Sequence, residues 1–216
     1  VTLEAVARHG YDADGMDISR RVLERLDQPG RRLIEADIEQ ELREVVDPYD
    51  AVLALDVLEH LDDDRGAIRR LLGLVRLGGW LIVSVPALPE LYSEFDAVQG
   101  HRRRYVPETL RAAFDGAPIS SLTTFWWGAW MVPLLRRRMR RRPPAVAPGP
   151  DTSDVADSLQ TYRRYLRLPS WPGPSFMRLA FACEEKLAVS QRLSIGTSLF
   201  AFARKEAAPA PGSASR

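Results

Sequence analysis

The chain has 216 residues, 45% of them hydrophobic and 27% charged, with a formal net charge of +1. Length and apolar content support one α/β domain with a buried core, and the near-zero charge gives no reason to expect nucleic acid as a partner. The single cysteine, Cys183, excludes an internal disulfide and a paired-cysteine metal knuckle, and no apolar run approaches the roughly 18 residues that span a bilayer.

In chain order, Thr2–His9 reads as a helix stopped near Gly10, and Ala13–Met16 as a short strand closing at Asp17. Ser19–Leu26 reads as a helix with Ser19 at its cap, and Arg32–Ala36 as a strand ending at Asp37. Tyr49–Leu55 (YDAVLAL) and Trp80–Val85 (WLIVSV) are short apolar runs bounded by polar residues, the pattern of buried parallel strands. Between them, Asp62–Arg76 places Ile68, Leu71, Leu72 and Val75 at helical spacing. Asp62, Asp63 and Asp64 suit its positive N-terminus; consecutive aspartates diverge on a helical first turn, so capping explains them and no metal site is expected. Gly78–Gly79 is expected to end that helix and open the next strand. Pro107–Phe114 reads as a helix with proline in its first turn, and Ile119–Phe125 and Ser198–Arg204 as strands. Strands alternating with helices predict a Rossmann-like, doubly wound, mostly parallel sheet, with a helical insertion before the last strand.

That insertion, residues 126–197, follows a core at 1–125 and precedes the last strand at 198–206 and a tail at 207–216 that should be disordered. Within it, Arg142–Asp154 is rich in proline and small residues and reads as a linker. Phe176–Leu193 reads as an amphipathic helix carrying Phe176, Ala180, Phe181, Leu187 and Leu193 broadly on one side, with Cys183 packed in it. The stretch Phe125–Arg142 puts tryptophans and aliphatics directly before six arginines. Two readings stand side by side: Trp126–Arg142 faces an anionic membrane surface, or the insertion is a lid with the tryptophans in its core. The expected setting is reducing and cytoplasmic, with a peripheral position on the inner face of the membrane under the first reading.

In open α/β sheets ligands bind at the carboxyl ends of the strands. Here those ends carry Asp17, Asp37 and Asp56 in succession. An acid at the first accepts both hydroxyl protons of a ribose, and one at the second takes an adenine amino group while Ile38 packs on the ring. Each aspartate alone equally suits a turn or a helix cap. Three in order point to a nucleoside cradle. Histidines titrate near working pH, so His60 and His101 are the candidate bases; ordering the loop is the other reading of His60. The arginines after His101 suit forked recognition of an acceptor carboxylate or phosphate, or a solvated basic turn.

The series GMDIS, EADI, YDAVLALDVLEHL and LGGWLIVSVPA resembles the ordered motifs of class I S-adenosylmethionine-dependent methyltransferases, over roughly residues 1–125, and SLFAFARK matches the final strand. The segment GHRRRY resembles a signature of one bacterial branch that acts on small molecules. The resemblance implies S-adenosylmethionine as cofactor, with Asp17 and Ile18 at the ribose, Asp37 and Ile38 around adenine, and Leu55 and Asp56 near the methionine portion. It also implies an acceptor near His60 and His101, with Arg102, Arg103 and Tyr105 contacting it. The expected reaction is methyl transfer to a small-molecule or lipid-linked acceptor, O-methylation slightly favoured. The family's glycine-rich turn does not occur here. The first helix is what should follow that turn, so the chain is expected to be a fragment beginning one strand late. The rival reading of this departure is a non-catalytic, methyltransferase-like binding or membrane-docking module. A nicotinamide oxidoreductase on the same sheet is weaker still, because its dinucleotide fingerprint is absent too.

Overall fold

The structure is a computed structural model that describes residues 2–27, 31–40, 42, 48–141, 174–189 and 193–207. Helix α1 (Thr2–Arg8) leads into β1 (Gly15–Asp17), α2 (Arg20–Leu26) and β2 (Leu33–Glu35). Then come β3 (Tyr49–Leu55), α3 (Asp64–Leu74), β4 (Val75–Pro86), α4 (Glu94–Val98), α5 (Pro107–Ala113) and β5 (Ile119–Trp127). Helices α6 (Val132–Arg141) and α7 (Pro174–Val189) precede β6 (Ser198–Lys205). The linker expected at Arg142–Asp154 lies outside the described residues, as does the expected tail beyond Ala207.

Strands β1 and β2 form a parallel pair, Asp17 opposite Glu35. The other four form a sheet in the order β3-β4-β6-β5, with β3 parallel to β4 and β6 antiparallel to both of its neighbours. The mostly parallel α/β sheet is therefore as expected, and β6 is its reversed member.

Two ties orient the pair against the larger sheet. At the start of β3 the Tyr49 hydroxyl donates to Asp14 Oδ2 at 2.7 Å, just ahead of β1. Past the other end, the Asp62 N–H donates to Glu39 Oε1 at 3.0 Å, and Arg70 Nε to the Ile38 carbonyl at 2.6 Å. The chain leaving β2 and the chain leaving β3 thus meet, so the carboxyl ends of β1, β2 and β3 face one side of the molecule.

The core follows from burial of one face of β4, where Leu81, Val83 and Val85 are buried, and of one face of β6, where Leu199, Ala201 and Ala203 alternate inward. Helix α3 covers them with Ala67, Ile68, Leu71, Leu72 and Leu74. Burying each leucine contributes about 2 kcal/mol. The helix starts where Asp63 Oδ1 accepts the Gly66 N–H at 2.8 Å, so the aspartate run does cap it.

Three local expectations change. Helix α3 ends at Leu74 and passes straight into β4 at Val75, so Gly78–Gly79 lies within the strand rather than between helix and strand. The ladder with β3 is irregular there, Tyr49 facing Val75 and Ala51 facing Trp80. Gly78 takes the left-handed φ of +72° that this bend requires. Cys183 is exposed rather than packed. Helix α7 is described from Pro174 to Val189, and Leu193 lies outside it; of its expected apolar side Phe181 packs inward while Phe176 is 54% exposed.

Gly79 has no room for a side chain: a Cβ there would lie 2.7 Å from the Asp50 carbonyl and 2.8 Å from Val75 Cγ1. Gly79→Ala should therefore destabilise the fold by about 2 kcal/mol through forced backbone separation. Urea unfolding checks this, and a midpoint equal to that of the parent chain would refute the close approach of β3 and β4.

Candidate active site

The strand-end acids are held by the turns they terminate. Asp17 Oδ1 accepts the Ser19 N–H at 2.8 Å, and Asp37 Oδ1 accepts the Glu39 N–H at 2.9 Å. Each closes an Asx turn with one oxygen, and the second oxygen has no hydrogen bond among the described residues. Turn former and ligand acceptor are thus compatible roles for one carboxylate. Asp56 sits at φ +53°, a left-handed conformation uncommon for a residue with a side chain. Its N–H donates to the Ser84 carbonyl at 2.9 Å, and the Ser84 hydroxyl donates to its Oδ1 at 3.2 Å. This strained turn redirects the chain at the middle of the site. Ile18 is 66% exposed beside Asp17, whereas Ile38 is half-buried and packed against the main core. Leu55 is half-buried at the end of β3.

Immediately after Asp56, a single 3-10 turn (Leu58–His60) carries Glu59 inward and His60 toward the segment after α4. Glu59 is 0% exposed, and among the described residues neither carboxylate oxygen has a hydrogen-bond partner. Its Oε1 lies 3.9 Å from His101 Nε2 and 4.0 Å from His60 Nε2. The two imidazoles meet edge to face with centroids 4.8 Å apart. Burial, reinforced by the charge of Asp56, pushes Glu59 up to about 7. Burial and the neighbouring His101 lower His60.

Across 41 residues of chain, the histidines are brought together by a polar scaffold centred on Asp96. This carboxylate is fully buried. It accepts from Arg104 Nε at 2.7 Å and Arg104 Nη2 at 3.1 Å, and from the Ser93 N–H at 2.9 Å and hydroxyl at 3.0 Å. The His101 Nδ1 lies 3.1 Å from Asp96 Oδ1. Burial pulls Asp96 upward, yet the bonds from His101 and Arg104 outweigh it and hold the carboxyl down at about 2. The loop is locked further by the Tyr92 hydroxyl on the His101 carbonyl at 2.7 Å and the Arg102 N–H on the Glu59 carbonyl at 2.7 Å.

The expected acceptor-binding residues are used inside the fold. Arg102 Nε donates to the His60 carbonyl at 2.7 Å, and its Nη1 pairs with Asp62 at 2.5 Å. Arg103 donates to the Leu61 carbonyl at 3.0 Å and pairs with Asp64. Tyr105 is buried, with its hydroxyl on Asp64 Oδ2 at 2.9 Å and the Leu58 carbonyl at 3.3 Å. Each of the three therefore pins the His60 turn or the start of α3 to the loop. Glu59 and Asp96 escaped selection from the sequence alone, and Arg104, read there as one of a cluster for the acceptor, is spent on Asp96. Two signals were available: a glutamate within the apolar LEHL, and the Ser93-x-x-Asp96 spacing of a capping box.

Removing one member of a buried charge pair strands the other. Arg104→Met should cost about 3 kcal/mol by leaving Asp96 anionic and underbonded, whereas Arg102→Ala, at an exposed pair, should cost under about 1 kcal/mol. Equal losses in denaturant unfolding would contradict the central place given to Asp96.

Comparison with known proteins bears on the family and the fold. A family profile described as a methyltransferase domain matches residues 1–117. No curated protein sequence matches the chain. Among solved structures, a SAM-dependent methyltransferase from Archaeoglobus fulgidus superposes with a TM-score of 0.53 at 18% identity, over 94% of this chain and 80% of that one. Phosphoethanolamine N-methyltransferase 2 of Haemonchus contortus, in complex with S-adenosyl-L-methionine, gives 0.51 at 12% identity, over 96% of this chain and 46% of that one. A SAM-dependent methyltransferase from Thermotoga maritima gives 0.50 at 13% identity, over 93% and 76%. With the profile covering more than half of its length, the chain belongs to the methyltransferase-domain family and has the class I, S-adenosylmethionine-dependent architecture.

Proposed function

We propose that this enzyme transfers a methyl group from S-adenosylmethionine to the hydroxyl of a small-molecule acceptor. The observation that carries the reading is the shared edge: Asp17, Asp37 and Asp56 end strands whose carboxyl termini face one side, beside His60 and His101. The residues fit the donor. Asp17 has a carboxylate oxygen left over for ribose hydroxyls, with the exposed Ile18 beside it as an apolar wall. Asp37 suits the adenine amino group, Ile38 forms the floor next to it, and Leu55 and Asp56 lie toward the methionine portion.

The donor supplies an electrophilic methyl carbon, so the protein's work is alignment and desolvation. His60 and His101 face the acceptor side and prepare its hydroxyl for attack. Arg102, Arg103 and Tyr105 serve that side by holding the histidine turn in place. Asp17→Ala removes a charged acceptor and should weaken S-adenosylmethionine binding at least about 10-fold. Calorimetry measures this; unchanged affinity would sink the cradle.

The acceptor is lipid-linked on a second reading, favoured by the exposed face of the insertion. Phe176 and Leu179 are exposed on α7, the latter at 63%, and α6 carries Arg136, Arg137, Arg138 and Arg140 on its surface. The tryptophans divide otherwise. Trp127 stacks on Phe181 at 5.9 Å and Trp130 meets the same ring edge-on at 5.3 Å, as a lid core requires. Anionic surfaces attract such arginines by about 1 kcal/mol each. Sedimentation with phosphatidylserine vesicles, absent with neutral ones, should therefore fall several-fold per arginine neutralised; binding that survives all four changes rejects the membrane face.

A further inference from the structure

We propose that Glu59, His60 and His101 form a binding site for a divalent transition-metal ion that takes the acceptor hydroxyl in its open positions. The site itself stands on geometry; its role in catalysis rests on the methyl-transfer reading above.

The three side chains offer one carboxylate oxygen and two imidazole nitrogens, all within 4.8 Å of one another. Glu59 carries the argument. A carboxylate buried at 0% exposure, with both oxygens unpaired, is costly to retain. The two Nε2 atoms face its Oε1 at 3.9 and 4.0 Å. Those separations are too long for hydrogen bonds, which end near about 3.2 Å. They suit atoms flanking a shared ion: donors about 2.1 Å from a cation lie about 3.0–3.4 Å apart, so each Glu59–histidine pair needs to close by about half an ångström and the widest pair of the cluster by up to about 1.4 Å, within reach of side-chain rotation.

The second layer is in place as well. His101 Nδ1 is engaged by Asp96 at 3.1 Å, which keeps the proton on that nitrogen and leaves the Nε2 lone pair pointing at Glu59. A ligand histidine backed by a carboxylate in this way is the usual support of a metal site. The opposite side of the His60 ring meets the backbone of Gly100, so its Nε2 is free in the same sense. The Arg102 bonds to the carbonyls of Glu59 and His60 fasten the two segments together. Mixed nitrogen and oxygen donors select zinc, manganese, iron or cobalt over calcium and magnesium, which prefer oxygen alone. Three protein ligands leave positions open, the mark of a catalytic rather than a structural site.

A cation here lowers the pKa of an acceptor hydroxyl. The hydroxyl gives its proton to solvent, and its oxygen lone pair forms the new C–O bond to the methyl carbon. The C–S bond breaks with its electron pair left on sulfur. The products are a methyl ether, S-adenosylhomocysteine and one proton.

The test is titration of the chelator-stripped full chain with Co2+, followed by its visible absorption, and with Zn2+ and Mn2+ by calorimetry. One equivalent should bind. Affinity should fall at least about 100-fold in His101→Ala and in the isosteric Glu59→Gln, and about 10–100-fold in Asp96→Asn, with folding of each verified by circular dichroism. Asp17→Ala should keep full metal affinity while losing donor affinity, which separates failure of the donor site from failure of this one. Absence of saturable Co2+ binding, or equal affinity in Glu59→Gln, overturns the site. Methyl transfer that persists undiminished under chelation overturns its catalytic role.

Discussion

A single buried negative charge organises the functional end of this protein. Asp96 is enclosed by Arg104, Ser93 and His101, and those contacts decide the path of everything between α4 and α5. Taking a carboxylate out of water is tolerable only when several donors replace its hydration. Arg104 does so with two bonds from one planar group, and it spends a third on the Ala87 carbonyl at 3.0 Å, fixing the loop to the end of β4. Tyr105 continues the same track beside Ala87 as an isolated parallel bridge. His101 is therefore positioned by Asp96, which Arg104 in turn holds in place.

The other half of the site is organised by strand direction. In a parallel arrangement all carboxyl ends share an edge, so turns that stop successive strands are neighbours in space however far apart they are in sequence. Asp17 and Asp37 hold their own turns with one oxygen and present the other. Asp56 departs from that pattern. Its left-handed backbone is clamped by Ser84 on the adjacent strand, and the chain turns inward to bury Glu59. Strain and an unpaired carboxylate within four residues of each other are the signature of a site kept for chemistry rather than stability.

The insertion illustrates how composition and placement divide. Tryptophans beside arginines are equally the makings of a membrane anchor and of a lid, and burial separates the residues. Trp127 and Trp130 clasp Phe181 of α7 against β5, and Glu184 of the same helix accepts the Ala129 N–H. The arginines of α6 stay on the surface, where Arg136 pairs with Glu90 at 2.8 Å and lowers its pKa. The element is thus apolar toward the sheet and basic toward solvent.

Sequence by itself determined the strand and helix series, because period-two and period-3.6 apolar patterns are local properties. It also located Asp17, Asp37 and Asp56, since an acid following an apolar run marks a strand's carboxyl end. His60 and His101 were legible as titratable groups but not as a pair. Their meeting, and the burial of Glu59 between them, depend on contacts across about forty residues that no local pattern encodes. The same holds for GHRRRY: as a string it is a basic patch, and only the fold shows each guanidinium turned onto a particular carbonyl or carboxylate. Charge on a side chain is written in the residue type; whether it meets water, a ligand or a buried partner is settled by packing, which tertiary structure alone decides.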